Sequence, residues 1–69
     1  MNKDFEDYMR RWYRIMNKGS ELNRICPWIY SNHWYELFIK EMFEAQFNGD
    51  TEVLDTWEEE FRMNDPVEP

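Results

Sequence analysis

The segment NHWYELFIKEMFEAQFN, residues 32–48, is apolar around most of a helical wheel. At 100° per residue, Leu37, Trp34, Ala45, Phe38, Met42, Tyr35, Ile39 and Phe43 sweep an arc of about 240°. Glu36, Lys40 and Glu44 leave a thin polar strip, which Phe47 interrupts. Ser31 or Asn32 can cap this helix, and Gly49 can stop it. A helix with so little polar surface must lie at the centre of its fold or be shared between two chains. Tyr35, Phe43 and Phe47 are the expected contact aromatics if it is shared.

Two further stripes flank this segment. In residues 3–18, KDFEDYMRRWYRIMNK, an arc of roughly 160° holds Phe5, Tyr8, Met9, Trp12, Tyr13, Ile15 and Met16. Arg10, Arg11, Arg14 and Lys18 fall opposite. Glu6–Arg10 and Asp7–Arg11 stand at i,i+4, Asn2 is the expected N-cap, and Gly19 the expected stop. In residues 51–63, capped by Asp50, Val53, Leu54, Trp57 and Phe61 span about 100°. Glu52, Asp55 and Glu59 point away from that stripe, and Glu58 and Glu60 flank it.

Between the first two helices lies SELNRICPWIY, residues 20–30. Ser20 can cap a short helix, Pro27 ends or kinks it, and PWIY reads as a loop or turn crossing the core. The fold class is therefore all-α: a small bundle of three main helices with a short irregular or helical connector containing Pro27. Residues 1–63 form one domain, and residues 64–69, NDPVEP, read as a flexible tail. Gly19 and Gly49 stand 30 residues apart, and Phe5, Tyr8, Met9 and Tyr13 would align with Tyr35, Phe38, Ile39 and Phe43. Two units fall short of the three a repeat array needs, so coincidence is the preferred reading.

A chain of 69 residues has a thin stability margin, and such domains often lean on disulfides, metal or a partner subunit. Cys26 is the sole cysteine, so no intrachain disulfide forms. Cys26 and His33 alone cannot complete a structural zinc site. DTEVLDTWEEEF, residues 50–61, lacks the alternating ligands and central glycine of a calcium loop. Dense packing or self-association is the remaining staple. Four Trp, four Tyr and five Phe make up 19% of the chain, more aromatic surface than so small a core can enclose. Aromatics concentrate at interfaces.

Catalysis finds little support. His33 and Cys26 are seven residues apart, and a buried apolar cysteine beside proline is the plainer reading of Cys26. With two glycines there is no phosphate-binding loop, and no cofactor is expected. The chain reads as a non-enzymatic protein.

The formal charge of −7 is unevenly placed. Residues 1–32 hold six basic residues against four acids, a balance of +2; residues 33–69 hold two against eleven, a balance of −9. Such a chain is a poor direct binder of nucleic acid or anionic membrane and suits a basic-surfaced partner. Carboxylates spaced along a helix can imitate a row of phosphates. The expectation is a small acidic binding protein whose C-terminal helix occupies a basic, nucleic-acid-binding surface of its partner. The carboxylates expected to do so are Glu52, Asp55, Glu58 and Glu59, with Glu36 and Glu44 beside them. Short, acidic, single-domain chains are also the build of many phage-encoded inhibitors of host defence or transcription, a parallel of size and charge alone. The alternative is a structural or adaptor protein that forms a homodimer through its aromatic-rich helix, its charge serving solubility. No apolar signal stretch follows Met1, so the expected location is the cytoplasm, where a lone cysteine stays reduced.

Overall fold

The computed structural model describes residues 3–63, which form three helices: α1 (Lys3–Ile25), α2 (Asn32–Asn48) and α3 (Thr51–Met63). Among these residues there is no strand, and each helix packs against the other two. The expected N-cap at Asn2 and the tail at 64–69 lie outside the described residues.

The all-α expectation holds, with corrections to the layout of the first helix and the connector. Gly19 does not stop the first helix. α1 runs on through Gly19 and Ser20 to Ile25. The reason lies across the bundle. Trp12, Ile15, Gly19 and Leu22 are all buried, one continuous i,i+3/i+4 stripe in which glycine occupies a core position. A Cβ built on Gly19 would stand 2.5 Å from Cζ and 3.0 Å from Cδ2 of Phe38. The missing side chain is thus the space that the Phe38 ring fills. Ser20 caps nothing here: its Oγ shares a 2.8 Å hydrogen bond with the Tyr35 hydroxyl. The apparent 30-residue repeat dissolves with the stop that defined it.

α1 ends where Pro27 requires it. The residue before proline is pushed out of helical backbone, and Cys26 N–H makes the last donation, to Leu22 O at 2.8 Å. A turn follows, with Ile29 and Tyr30 N–H both donating to Cys26 O. Contrary to the sequence reading, PWIY does not cross the core. Cys26 and Tyr30 turn inward, while Trp28 is 76% exposed and Ile29 also faces outward. Asn23 Nδ2 ties the turn down by donating to Tyr30 O at 2.8 Å and to Asn32 Oδ1 at 3.2 Å.

The other boundaries follow local signals. Ser31 Oγ accepts from Trp34 N–H at 3.2 Å, an N-cap that satisfies one orphan donor. Gly49 adopts the left-handed conformation, φ 66°, and Asp50 N–H closes the α2 C-terminus on Ala45 O at 2.9 Å. Asp50 Oδ1 then accepts from Glu52 N–H at 3.0 Å and opens α3.

Phe38, Leu22, Met42 and Leu54 are fully buried. Trp34 stacks on the Phe38 ring with centroids 5.0 Å apart, and Trp57 meets it edge-on at the same distance. Two aromatic polar tips are satisfied by α2 carbonyls: Trp12 Nε1–H donates to Met42 O at 2.8 Å, and the Tyr8 hydroxyl to Ala45 O at 2.7 Å. Burial, and then the charge of Asp50, raise the Tyr8 pKa, which keeps its phenol protonated as that donor.

Candidate interaction surfaces

Arg11 joins α1 to α3. Its Nε and Nη2 donate to both carboxylate oxygens of Glu58, at 3.1 and 2.9 Å, and Nη2 also donates to Asp55 Oδ1 at 2.6 Å. A two-pronged guanidinium–carboxylate pair is the geometry in which such contacts are strongest. Donation to the Glu58 carboxylate, then to that of Asp55, raises the Arg11 pKa further still. Arg11 is thus not on a solvated face opposite the apolar stripe. With α1 extended to Leu22, the centre of the buried stripe shifts towards Ile15 and Leu22. Arg11 then borders it, about 60° away at 100° per residue. Asp7 meets Arg10 at i,i+3 instead, at 3.6 Å. Two of the six carboxylates expected to meet a partner, Asp55 and Glu58, are therefore engaged within the chain, although 68% of the Asp55 side chain stays exposed.

The others do not form one face. Glu59 is exposed on the side of α3 opposite its buried Leu54 and Phe61, and Glu52, also exposed, stands at the start of α3 across a hollow from Glu41 of α2. Glu44 is exposed on α2 where that helix meets α3. Glu36, about 80° from it on the wheel, lies on the outer side of α2 with Phe43 and Phe47.

Between α2 and α3, on the side away from α1, runs a groove of about 410 Å³. Trp34, Leu37, Phe38 and Trp57 supply its apolar lining, and Glu41, Glu44 and Lys40 its charged walls. Glu41 also lines an adjoining hollow with Asp50, Glu52, Val53 and Thr56, so the carboxylate margin continues towards the start of α3. Sequence reasoning missed Glu41, although its spacing carried the signal: it follows Leu37 at i+4 and precedes Glu44 at i+3. Trp57 Nε1 is buried without a hydrogen-bond partner, alone in this among the described residues.

Several aromatics are exposed outside this groove. Phe47 is 91% exposed and Phe43 52%, and Tyr13 and Phe5 of α1 are open as well. Trp12 has the Tyr13 and Phe43 rings each 5.3 Å from it in edge contact. Tyr35 does not join them. It faces α1 through Ser20 and stacks towards Phe38 at 6.1 Å. Trp28, the one tryptophan of the connector, is likewise surface that the sequence reading did not foresee.

Among the described residues no three His, Cys, Asp or Glu side chains are grouped as a metal site, and no helix is long and apolar enough to cross a membrane. No protein-family model matches the chain, and neither a curated protein nor a solved structure matches it.

Proposed function

We propose that this is a non-enzymatic binding protein, an inhibitor that occupies a basic, nucleic-acid-binding surface of a partner protein through carboxylates of α2 and α3. One observation carries the reading. After Arg11 has engaged Asp55 and Glu58, α2 and α3 still present Glu41, Glu44, Glu52 and Glu59 to solvent. Fixed carboxylates on rigid helices attract Lys and Arg from a distance and repel phosphate, so they speed encounter with a basic protein and exclude nucleic acid. The single, buried Cys26 fits a reducing cytoplasm.

The test is competition. A partner recovered by affinity capture should bind either this protein or DNA or RNA, not both, and its affinity for this protein should fall steeply with added salt. A partner that holds nucleic acid and this protein together sinks the reading.

The exposed Phe43 and Phe47 favour a second one, a structural or adaptor protein that forms a homodimer through the outer face of α2. It expects the wild type to sediment as a dimer at high micromolar concentration and Phe47→Glu to give a folded monomer. A wild type that is monomeric there retires it.

A further inference from the structure

We infer that the groove between α2 and α3 is a docking site for a basic amphipathic helix, a segment with an apolar stripe flanked by Lys or Arg. This rests on the proposed function and narrows the partner's chemistry from a basic surface to a basic helix.

The fold itself contains the template. Two helices packed side by side leave a groove on each side. α1 fills one groove of the α2–α3 pair. It lays Trp12, Ile15 and Leu22 along the middle and sets Arg11 at the edge, on carboxylates of α3. The other groove is also apolar with a carboxylate margin, and no element among the described residues fills it. Leu37, 55% exposed, offers an apolar surface beside the Trp34 and Trp57 pair, and Glu41 and Glu44 outnumber Lys40 along the margin, as Asp55 and Glu58 stand on the filled side. A helix seated there would complete a four-helix arrangement.

The charges select the occupant. Phosphate would be repelled by the carboxylates, so nucleic acid does not enter. A neutral apolar helix would desolvate Glu41 and Glu44 without pairing them, which costs free energy. A helix with cations at its edges pairs them while its stripe covers Leu37.

The probe is a synthetic peptide of about 18 residues, five helical turns, with Leu at i, i+3, i+4 and i+7 and Lys elsewhere. Two controls accompany it: a scramble of the same composition without the stripe, and a version with Glu in place of Lys. Binding is read from the fluorescence and indole N–H resonances of the chain. The patterned peptide should bind and shift the Trp34 and Trp57 indoles. Leu37→Asp should weaken it by about tenfold or more, as should Glu41→Lys with Glu44→Lys, each losing roughly 1.4 kcal/mol. Phe47→Glu, on another face, should change it less than about twofold. Leu37 is exposed, so these variants keep the fold, which their melting curves check.

Equal binding by the scramble, or no loss in Leu37→Asp, overturns the inference and leaves diffuse charge attraction. A chain that dimerises alone and becomes monomeric in Leu37→Asp also overturns it, because the occupant is then a second copy. The same variants separate this failure from that of the proposed function. If the captured partner ignores Leu37→Asp but loses affinity for Glu52→Lys with Glu59→Lys, the groove is wrong and the basic-surface reading stands.

Discussion

Gly19→Ala should destabilise the protein by about 1–3 kcal/mol, the usual cost of forcing an extra carbon into a packed core. Helix propensity alone expects the opposite sign. Glycine inside an exposed helix costs about 1 kcal/mol relative to alanine, so the same change elsewhere in α1 would stabilise. Contact geometry decides which effect wins. The new Cβ meets ring atoms of Phe38, including Cζ at 2.5 Å, and neighbouring rings restrict how far that ring can shift. Phe38 is 0% exposed and lies between the face of Trp34 and the edge of Trp57. A domain of this size has roughly 3–10 kcal/mol of stability in all, so Gly19→Val should leave little folded protein. Urea titrations of the wild type, Gly19→Ala, Phe38→Leu and the double variant make the check. In the Phe38→Leu background the alanine should cost at least about 1 kcal/mol less, the coupling expected of residues in contact. An alanine that stabilises the wild type would show that the helix and ring do not meet this closely.

The contrast between the two glycines explains what was legible in the sequence. Gly49 is a stop for reasons contained in its neighbours: α2 ends, φ becomes positive, and Asp50 caps the next helix. Ser31 is equally local. Those signals give α2 and α3 their bounds from pattern alone. Gly19 has the same identity, but its role is set by a ring from another helix, and no local signal distinguishes a stop from a close approach. Arg11 was misplaced by the same error. Cutting α1 at Gly19 hides Leu22, and without Leu22 the buried stripe is centred too far towards Met9 and Tyr13. The candidate surfaces divide in the same way. The exposure of Phe43 follows from an apolar arc too wide for two neighbouring helices to cover, and that of Phe47 from its place in the polar strip. Which carboxylates stay open depends on which helix α1 reaches, and periodicity does not encode that.

That division makes charge reversal informative, because four carboxylates of one short helix should respond in two different ways. Glu52→Lys with Glu59→Lys should leave stability within about 0.5 kcal/mol per site, since both are exposed on α3. Asp55→Lys with Glu58→Lys should cost about 1–3 kcal/mol. It removes charge-assisted hydrogen bonds to Arg11 and sets two cations beside a guanidinium whose side chain is only 30% exposed. The lower part of that range applies if solvent around Asp55 screens its share, and the loss should shrink as salt is added. Binding should rank the pairs in the other order once folding is accounted for. Each reversal at Glu52 and Glu59 turns an attractive contact with a basic partner into a repulsive one. Together they should weaken the complex by about 100-fold, or roughly 2.7 kcal/mol. If the two side chains lie at the rim of the interface, the loss appears as slower association that salt abolishes. If they are enclosed, it appears as faster dissociation. The measurement is melting temperature and partner affinity for both double variants at low and high salt. Unchanged affinity in Glu52→Lys with Glu59→Lys, beside an unchanged melting curve, would make this side of α3 plain solvated surface and retire its part in the proposed function.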